Sequence, residues 1–328
     1  MKTMLWKLVG IATVLFFPMQ VANAIEFRVL SSWDNSFPIR SVLLEEFAKN
    51  VKAASNGDIT FSISGPETVP PFEQLQPVMS GAFQMLFTHG AYHVGTSSML
   101  IATEGFTGDM KKWREAGVND VIDQHYQKLG LKLLAMPRSP EGTAFQIILR
   151  EPVSANGDLQ GRKIRGTQNY SGVFKLLGAS PVVLPPSDIY SSLEKGIIDG
   201  AAWPVIGVRA ARWNEVAKHL LRPSFGTTSY PILVNLGAWR RLTDLQRKIL
   251  SDEGKKIEDF WVSEWVRLAK EEQDALLKSG SRLVDMGGEQ QKKLRASWAE
   301  GSWDVAMTKN PKEVAEFREW AKSRGLSQ

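Results

Sequence analysis

Strand-like and helix-like stretches alternate in two separate series along this chain, and that alternation limits the fold more than any other feature. Residues 25 to 33, IEFRVLSSW, have the apolar alternation of a strand and run into the loop DNSFP. Residues 41 to 57, SVLLEEFAKNVKAASNG, carry Val42, Leu43, Leu44, Phe47 and Val51 at the spacing of one helix face, with Gly57 as a stop. Strand character returns at 58 to 64, DITFSIS. Residues 72 to 81, FEQLQPVMSG, look helical despite Pro77, and 83 to 89, FQMLFTH, are strand-like again. This order predicts a mostly parallel sheet with helices on its faces. A second series follows: RKIRG as a short strand, YSGVFKLLG (170 to 178) as a helix closed by Gly178, and SPVVLP (180 to 185) as a strand. PSDIYSSLEKG (186 to 196) opens a helix with Ser187 or Asp188 at its cap, and IIDGAAW (197 to 203) is the next strand. Two such units predict two α/β lobes, although no close sequence repeat relates them.

From WRRLTDLQRKIL onward the pattern turns helical for a long way. Thr243 and Gln246 have the spacing of a capping box, in which the hydroxyl accepts from the N3 amide while the Gln side chain reaches back. Leu245, Ile249, Ile257, Trp261, Trp265, Leu268 and Leu276 recur at mainly helical intervals, and Gly280 ends the run. An unbroken helix of about 37 residues would be about 55 Å long, enough to brace two lobes. A break into two helices near Gly254 is the alternative.

The chain opens with MKTMLWKLVGIATVLFFPMQVANA. Lys2 and Lys7 precede an apolar run from Leu8 to Phe17, and Ala22-Asn23-Ala24 has the small-x-small pattern that a signal peptidase cuts. The run is shorter than the roughly 20 apolar residues of a membrane span and ends at Pro18, so residues 1–24 read as a signal peptide; an uncleaved anchor is the other reading. Export to the periplasm follows. The remaining 304 residues carry 38 basic and 35 acidic side chains, too small a surplus to argue for nucleic acid. The absence of cysteine excludes disulfides, thiol catalysis and a lipidated N-terminal Cys.

Residues 161 to 172, GRKIRGTQNYSG, place three basic side chains within four positions just before a turn. The run from Asp158 to Leu221 around them resembles the solute-binding proteins of tripartite ATP-independent periplasmic (TRAP) transporters. DLQGRKIR, LGASPVVLP, IYSSLEKGIIDGA and WNEVAKHL carry the resemblance, in that order, and FAKNV, GDITFSI, VMSGAF and WRRLTDLQRKIL fall where the family has corresponding elements. The resemblance implies the two-lobed α/β fold of periplasmic binding proteins, with crossing hinge strands and a long bracing helix. It implies a receptor rather than an enzyme, a small organic acid in the cleft, and membrane permease subunits as partner. It also implies that Arg165, at the end of the KIR strand, grips the ligand's carboxylate. A guanidinium suits that task, because it stays charged and presents two parallel N–H donors to two oxygens. Arg162, Lys163 and Arg150 read as solvated charges.

The chain departs from the pattern of that family at two places. Many members have a second Arg just after the Gly of the crossing strand, where this chain has Thr143, Ala144 and Phe145, and several have a polar Asn where it has Trp203. Both departures favour an apolar or aromatic acid over a hydroxylated sugar acid. Trp33 is either a further wall of the site or packing under its loop, and Phe145 either wall or core. His89 and Glu73 fall at strand and helix ends expected to face the cleft; His89 either donates to a second ligand oxygen or is satisfied within the protein. His89 and His93 stand at i and i+4 without a nearby acid, so neither a metal nor another cofactor is expected.

A secreted hydrolase would need an activated nucleophile, yet there is no G-x-S-x-G elbow and there are four histidines in all. The binding protein of an ATP-driven transporter is a closer rival, and the motif order favours the tripartite class. The expected division is residues 25–148 for the first part of lobe I, 149–232 for lobe II, and 233–328 for the completion of lobe I with helices spanning both lobes.

Overall fold

The computed structural model describes residues 24–327, so the expected signal peptide lies almost wholly outside the described residues. Strand β1 (Ile25–Ser31) leads through a wide π-type turn at Ile39–Leu44 into helix α1 (Glu45–Ala54) and then β2 (Ile59–Ser64). A single turn at Pro71–Glu73, helix α2 (Leu75–Met79) and strand β3 (Met85–Phe87) follow. Helices α3 (Met99–Glu104), α4 (Met110–Ala116) and α5 (Val118–Lys128) then bring the chain to β4 (Leu131–Ala135).

The second lobe is built from β5 (Phe145–Leu149), β6 (Lys163–Arg165), α6 (Ser171–Leu177), β7 (Ser180–Val182), α7 (Ile189–Glu194), β8 (Gly200–Pro204) and β9 (His219–Arg222). The chain returns through β10 (Ile232–Asn235) and α8 (Leu236–Arg240) to α9 (Asp244–Lys278), β11 (Arg282–Asp285), α10 (Gly288–Met307) and α11 (Pro311–Ser323).

These strands form two sheets, ordered β2-β1-β3-β10-β4 and β11-β9-β5-β8-β6-β7. β1 runs parallel to β2 and β3, and β6 parallel to β7 and β8, as the two alternating series require. β10 and β5 are the antiparallel members, and each is reached by a chain that has just crossed from the other lobe. The crossing segments, residues 136–144 and 223–231, run antiparallel, with Tyr230 N donating to Pro137 O at 2.8 Å and Ser139 N to Thr228 O at 3.0 Å. Sheet membership departs from the residue ranges expected from sequence at two strands. β5 already belongs to the second sheet at Phe145, because the crossing ends there, and β11 joins that sheet by pairing with β9 after α9 has carried the chain back.

Helix α9 is continuous for 35 residues, and both halves of its capping box are formed. It passes Gly254 unbroken because β4 lies against it there: a Cβ on Gly254 would sit 3.1 Å from Leu134 O. Near this end Glu258, on α9, accepts from Met136 N and Asn119 Nδ2, both at 2.8 Å. Mid-helix, Trp261 and Trp265 pack on Tyr230 of a crossing segment. At the far end Glu272 accepts from Arg209 N and Gln273 from Arg222 Nη2, each at 2.8 Å. The buried stripe is Leu250, Ile257, Trp261, Trp265 and Leu276; Leu245, expected on it, is 66% exposed. Helix α10 crosses α6 at Gly172 and Gly301, where neither position has room for a Cβ.

Candidate functional site

Parallel strands end at a common edge, and in open α/β sheets ligands bind in the crevice outside those carboxyl ends. Here the edges of both sheets face each other. Trp33 and His89 follow β1 and β3, while Arg165 and Trp203 lie at the ends of β6 and β8. The antiparallel strands begin where their neighbours end, so Phe145 opens β5 opposite Pro204 and Tyr230 stands just before β10. These residues, with Tyr92, Thr167, Tyr170, Pro204 and Thr228, enclose a cavity of about 20 Å³, room for about one water molecule. The lobes are closed over it. Larger spaces lie beside α10, about 480 Å³ and lined by the ion-paired Glu104, Glu141 and Arg295, and beside α5, about 580 Å³ and lined in part by the pairs Arg114–Glu258 and Lys132–Asp123.

Arg165 is 1% exposed. Its Nε and Nη2 donate to Leu184 O at 3.0 and 2.8 Å, its Nη1 reaches Ala202 O at 3.4 Å, and the guanidinium lies 5.2 Å from the centre of the Trp203 ring. No carboxylate among the described residues forms an ion pair with it; its polar company is two carbonyls and the hydroxyls of Tyr92 and Tyr170. Burial pulls its pKa below the usual arginine range, and the two hydroxyls oppose the shift. The same burial raises the phenols of Tyr92, Tyr170 and Tyr230, which therefore stay neutral. A buried cation without a counter-charge is costly, and carbonyls and an aromatic face offset only part of that cost. An anion in the cavity would supply the rest.

Trp33, Phe145 and Trp203 all line this cavity. Trp203 packs edge-on to Trp213 at 4.8 Å and near Phe37 at 5.7 Å, and Trp33 meets Phe87 and Tyr230 at 5.4 and 5.6 Å. Phe145 combines the two roles that sequence left open: it lines the cavity and packs on Tyr170 and Trp298 at 5.0 and 5.1 Å. His89 lines the cavity but is engaged elsewhere. Its Nδ1 accepts from Ala91 N at 3.1 Å, and its Nε2 lies 2.6 Å from Glu104 Oε1 without the alignment of a hydrogen bond. One ring nitrogen is thus held by the backbone, and the other stands against a carboxylate.

Glu73 is not part of the site. It ends the turn Pro71–Glu73 with its side chain exposed, and the next residue takes the inward position: Gln74 is fully buried and donates to Ser31 O and Val69 O, both at 2.9 Å. Arg162 is half-buried rather than freely solvated, because it donates to the carbonyls of Glu151 and Pro152. His93 turns away from His89 to bond Tyr126 at 2.7 Å, and among the described residues no group of acids and histidines has the arrangement of a metal site. Sequence reasoning missed the three tyrosines. Tyr170 lies in the GTQNYSG turn after Arg165 and Tyr92 between His89 and His93, and both were legible as neighbours of strand ends.

Two α/β lobes joined by crossing strands, with an unpaired guanidinium where the strand ends meet, define a two-lobed solute-binding protein. Residues 30–304 match the family described as bacterial extracellular solute-binding protein, family 7. The chain belongs to that family, the solute receptors of TRAP transporters, which are binding proteins and not enzymes. It is 26% identical over 272 residues to the monocarboxylate 2-oxoacid-binding periplasmic protein all3028 of Nostoc sp., covering 79% of this chain and 73% of that one. It is 27% identical over 156 residues to the ectoine-binding periplasmic protein TeaA of Halomonas elongata, covering 47% of this chain and only 45% of the relative's length. Its backbone superposes on a TRAP solute-binding protein of Desulfovibrio salexigens with bound orotic acid at a TM-score of 0.80, 19% identity, and coverage of 92% and 98%. Among the described residues no helix is long and apolar enough to cross a membrane.

Proposed function

We propose that this protein captures a small organic acid bearing one carboxylate and an apolar or aromatic body, and delivers it to the membrane permease of a TRAP transporter. The observation that carries this reading is Arg165, a buried cation at the cavity wall without an acidic partner. Arg165 anchors the carboxylate; Trp33, Phe145 and Trp203 bound the body, together with the rings of Tyr92, Tyr170 and Tyr230. Among the described residues Arg165 is the one Arg or Lys lining the cavity, which favours one carboxylate over two. The hydroxyls of Thr228 and Tyr230 sit there without a well-aligned hydrogen bond and are the groups available to an oxygen on the ligand body. The 2-oxoacid, ectoine and orotic acid named for its relatives all carry a carboxylate on a small frame, in keeping with such a ligand. The work is done in the periplasm, after cleavage of residues 1–24, by lobes that close around the hinge of residues 136–144 and 223–231. A thermal-shift screen of aromatic and aliphatic monocarboxylates, dicarboxylates and sugar acids tests the reading. Aromatic or apolar monocarboxylates should give the largest stabilisation, and a response confined to sugar acids would overturn it. A ligand at 100 times its dissociation constant adds about 2.7 kcal/mol, an easily measured shift.

A further inference from the structure

The turn that follows Arg165 makes a second connection, away from the cavity. Asn169 is 1% exposed and donates through Nδ2 to Glu104 Oε2 at 3.0 Å. The other oxygen of that carboxylate, Oε1, lies 2.6 Å from His89 Nε2. Glu104 ends α3 in the first lobe and is 2% exposed, whereas Asn169 follows β6 in the second. Both partners are fixed in orientation. Thr167 Oγ1 donates to Asn169 Oδ1 at 2.6 Å, which leaves the Asn amide nitrogen facing Glu104, and Trp298 Nε1 donates to the backbone carbonyl of Glu104 at 2.8 Å. A buried carboxylate of the first lobe is therefore shared with the second through Asn169, four residues past Arg165.

We propose that Glu104 is the latch of the closed state. When the lobes part, Asn169 leaves and the outer oxygen of Glu104 loses its donor, which water must replace. When they close, the carboxylate recovers a charge-assisted hydrogen bond in a dry environment, where such a bond is strongest. Because Asn169 follows Arg165 in the same turn, closing the latch also brings the guanidinium, already held by its own lobe's carbonyls, up to Tyr92 of the first lobe. Glu104 touches no ligand; it is a positioning residue, and the proposal concerns closure itself, independently of which acid binds.

The chemistry of the pair allows a swap. Asn169→Asp sets two carboxylates against each other. Glu104→Gln keeps an acceptor for His89 but opposes its amide nitrogen to that of Asn169. Combined, the two changes restore one donor and one carboxylate across the same gap, with the polarity reversed. The chain has no cysteine, so Glu73→Cys and Ser187→Cys, exposed on opposite lips of the cleft, give unique sites for a fluorescent pair. Energy transfer between them reads closure without added acid and, separately, with benzoate as the probe. Each single variant should shift the population toward open and weaken benzoate binding about tenfold to a hundredfold, mainly through faster dissociation. The double variant should recover most of both. If Asn169→Asp does not fold, Asn169→Ala, which removes the donor without adding charge, takes its place. Unchanged energy transfer in the single variants, or a double variant as open as either, overturns the latch. Benzoate that binds no variant while closure still follows the swap leaves the latch standing and counts against the carboxylate-anchor reading alone.

Discussion

At the scale of single residues, the proposed function turns on Arg165, which has no acidic partner among the described residues. Replacing Arg165 by Ala leaves a bound carboxylate desolvated and unpaired, a loss of about 2 to 5 kcal/mol, so affinity should fall by roughly thirtyfold to several thousandfold. Arg165→Lys should recover part of it, since a point charge lacks the paired donors. Lys163→Ala, exposed two positions earlier, is the control and should bind as the parent does. Calorimetry with the best acid of the thermal-shift screen measures all three. His93 makes a second prediction. Burial, with His89 and His125 nearby, lowers its pKa to about 3, so the native protein keeps it neutral where the unfolded chain takes a proton. Its contribution is complete above pH 6.5 and is lost as pH falls toward 3, at a cost of about 2 kcal/mol by pH 5. Urea unfolding at pH 7.5 and 5.0 should show that loss in the parent and less of it in His93→Gln. Arg165 was legible because a strand end, a turn and a family motif coincide there. Glu73 misled because a short turn rotates each successive side chain by about a third of a circle, and a one-residue error reverses inside and outside.

Elements were legible where local chemistry alone decides them. The capping box at Thr243 forms as read, because both its partners lie within four residues. Thr243→Ala should cost about 1 kcal/mol in equilibrium unfolding. The passage of α9 through Gly254 was not legible, because the reason lies on β4, 120 residues earlier in the chain: the glycine serves the close approach of Leu134 O and not a break. Gly254→Leu should therefore destabilise more than Thr243→Ala, despite leucine's better helix propensity, since the new side chain must displace a strand. A Gly254→Leu variant at least as stable as the parent would show that β4 can yield. Leu245 was misplaced for a related reason: the first turn of a helix keeps its period before the rest of the protein reaches it.

At the scale of the whole molecule, a cavity of about 20 Å³ cannot admit an organic acid without opening. Solution scattering should give a larger radius of gyration without ligand than at saturation, and identical profiles would exclude closure as the binding step. The two-lobed plan was readable from alternation, while the sheet to which β5 and β11 belong was not, because strand pairing is a matter of where a chain returns. Helix α9 has a further consequence. One lobe holds it at Glu258 and the other at Glu272 and Gln273, about 21 Å further along a rigid rod. Such a rod works like the check strap on a door. When the lobes part, the bonds at one of these two ends must lengthen or break, so the rod ties opening to contacts that lie away from the ligand cavity.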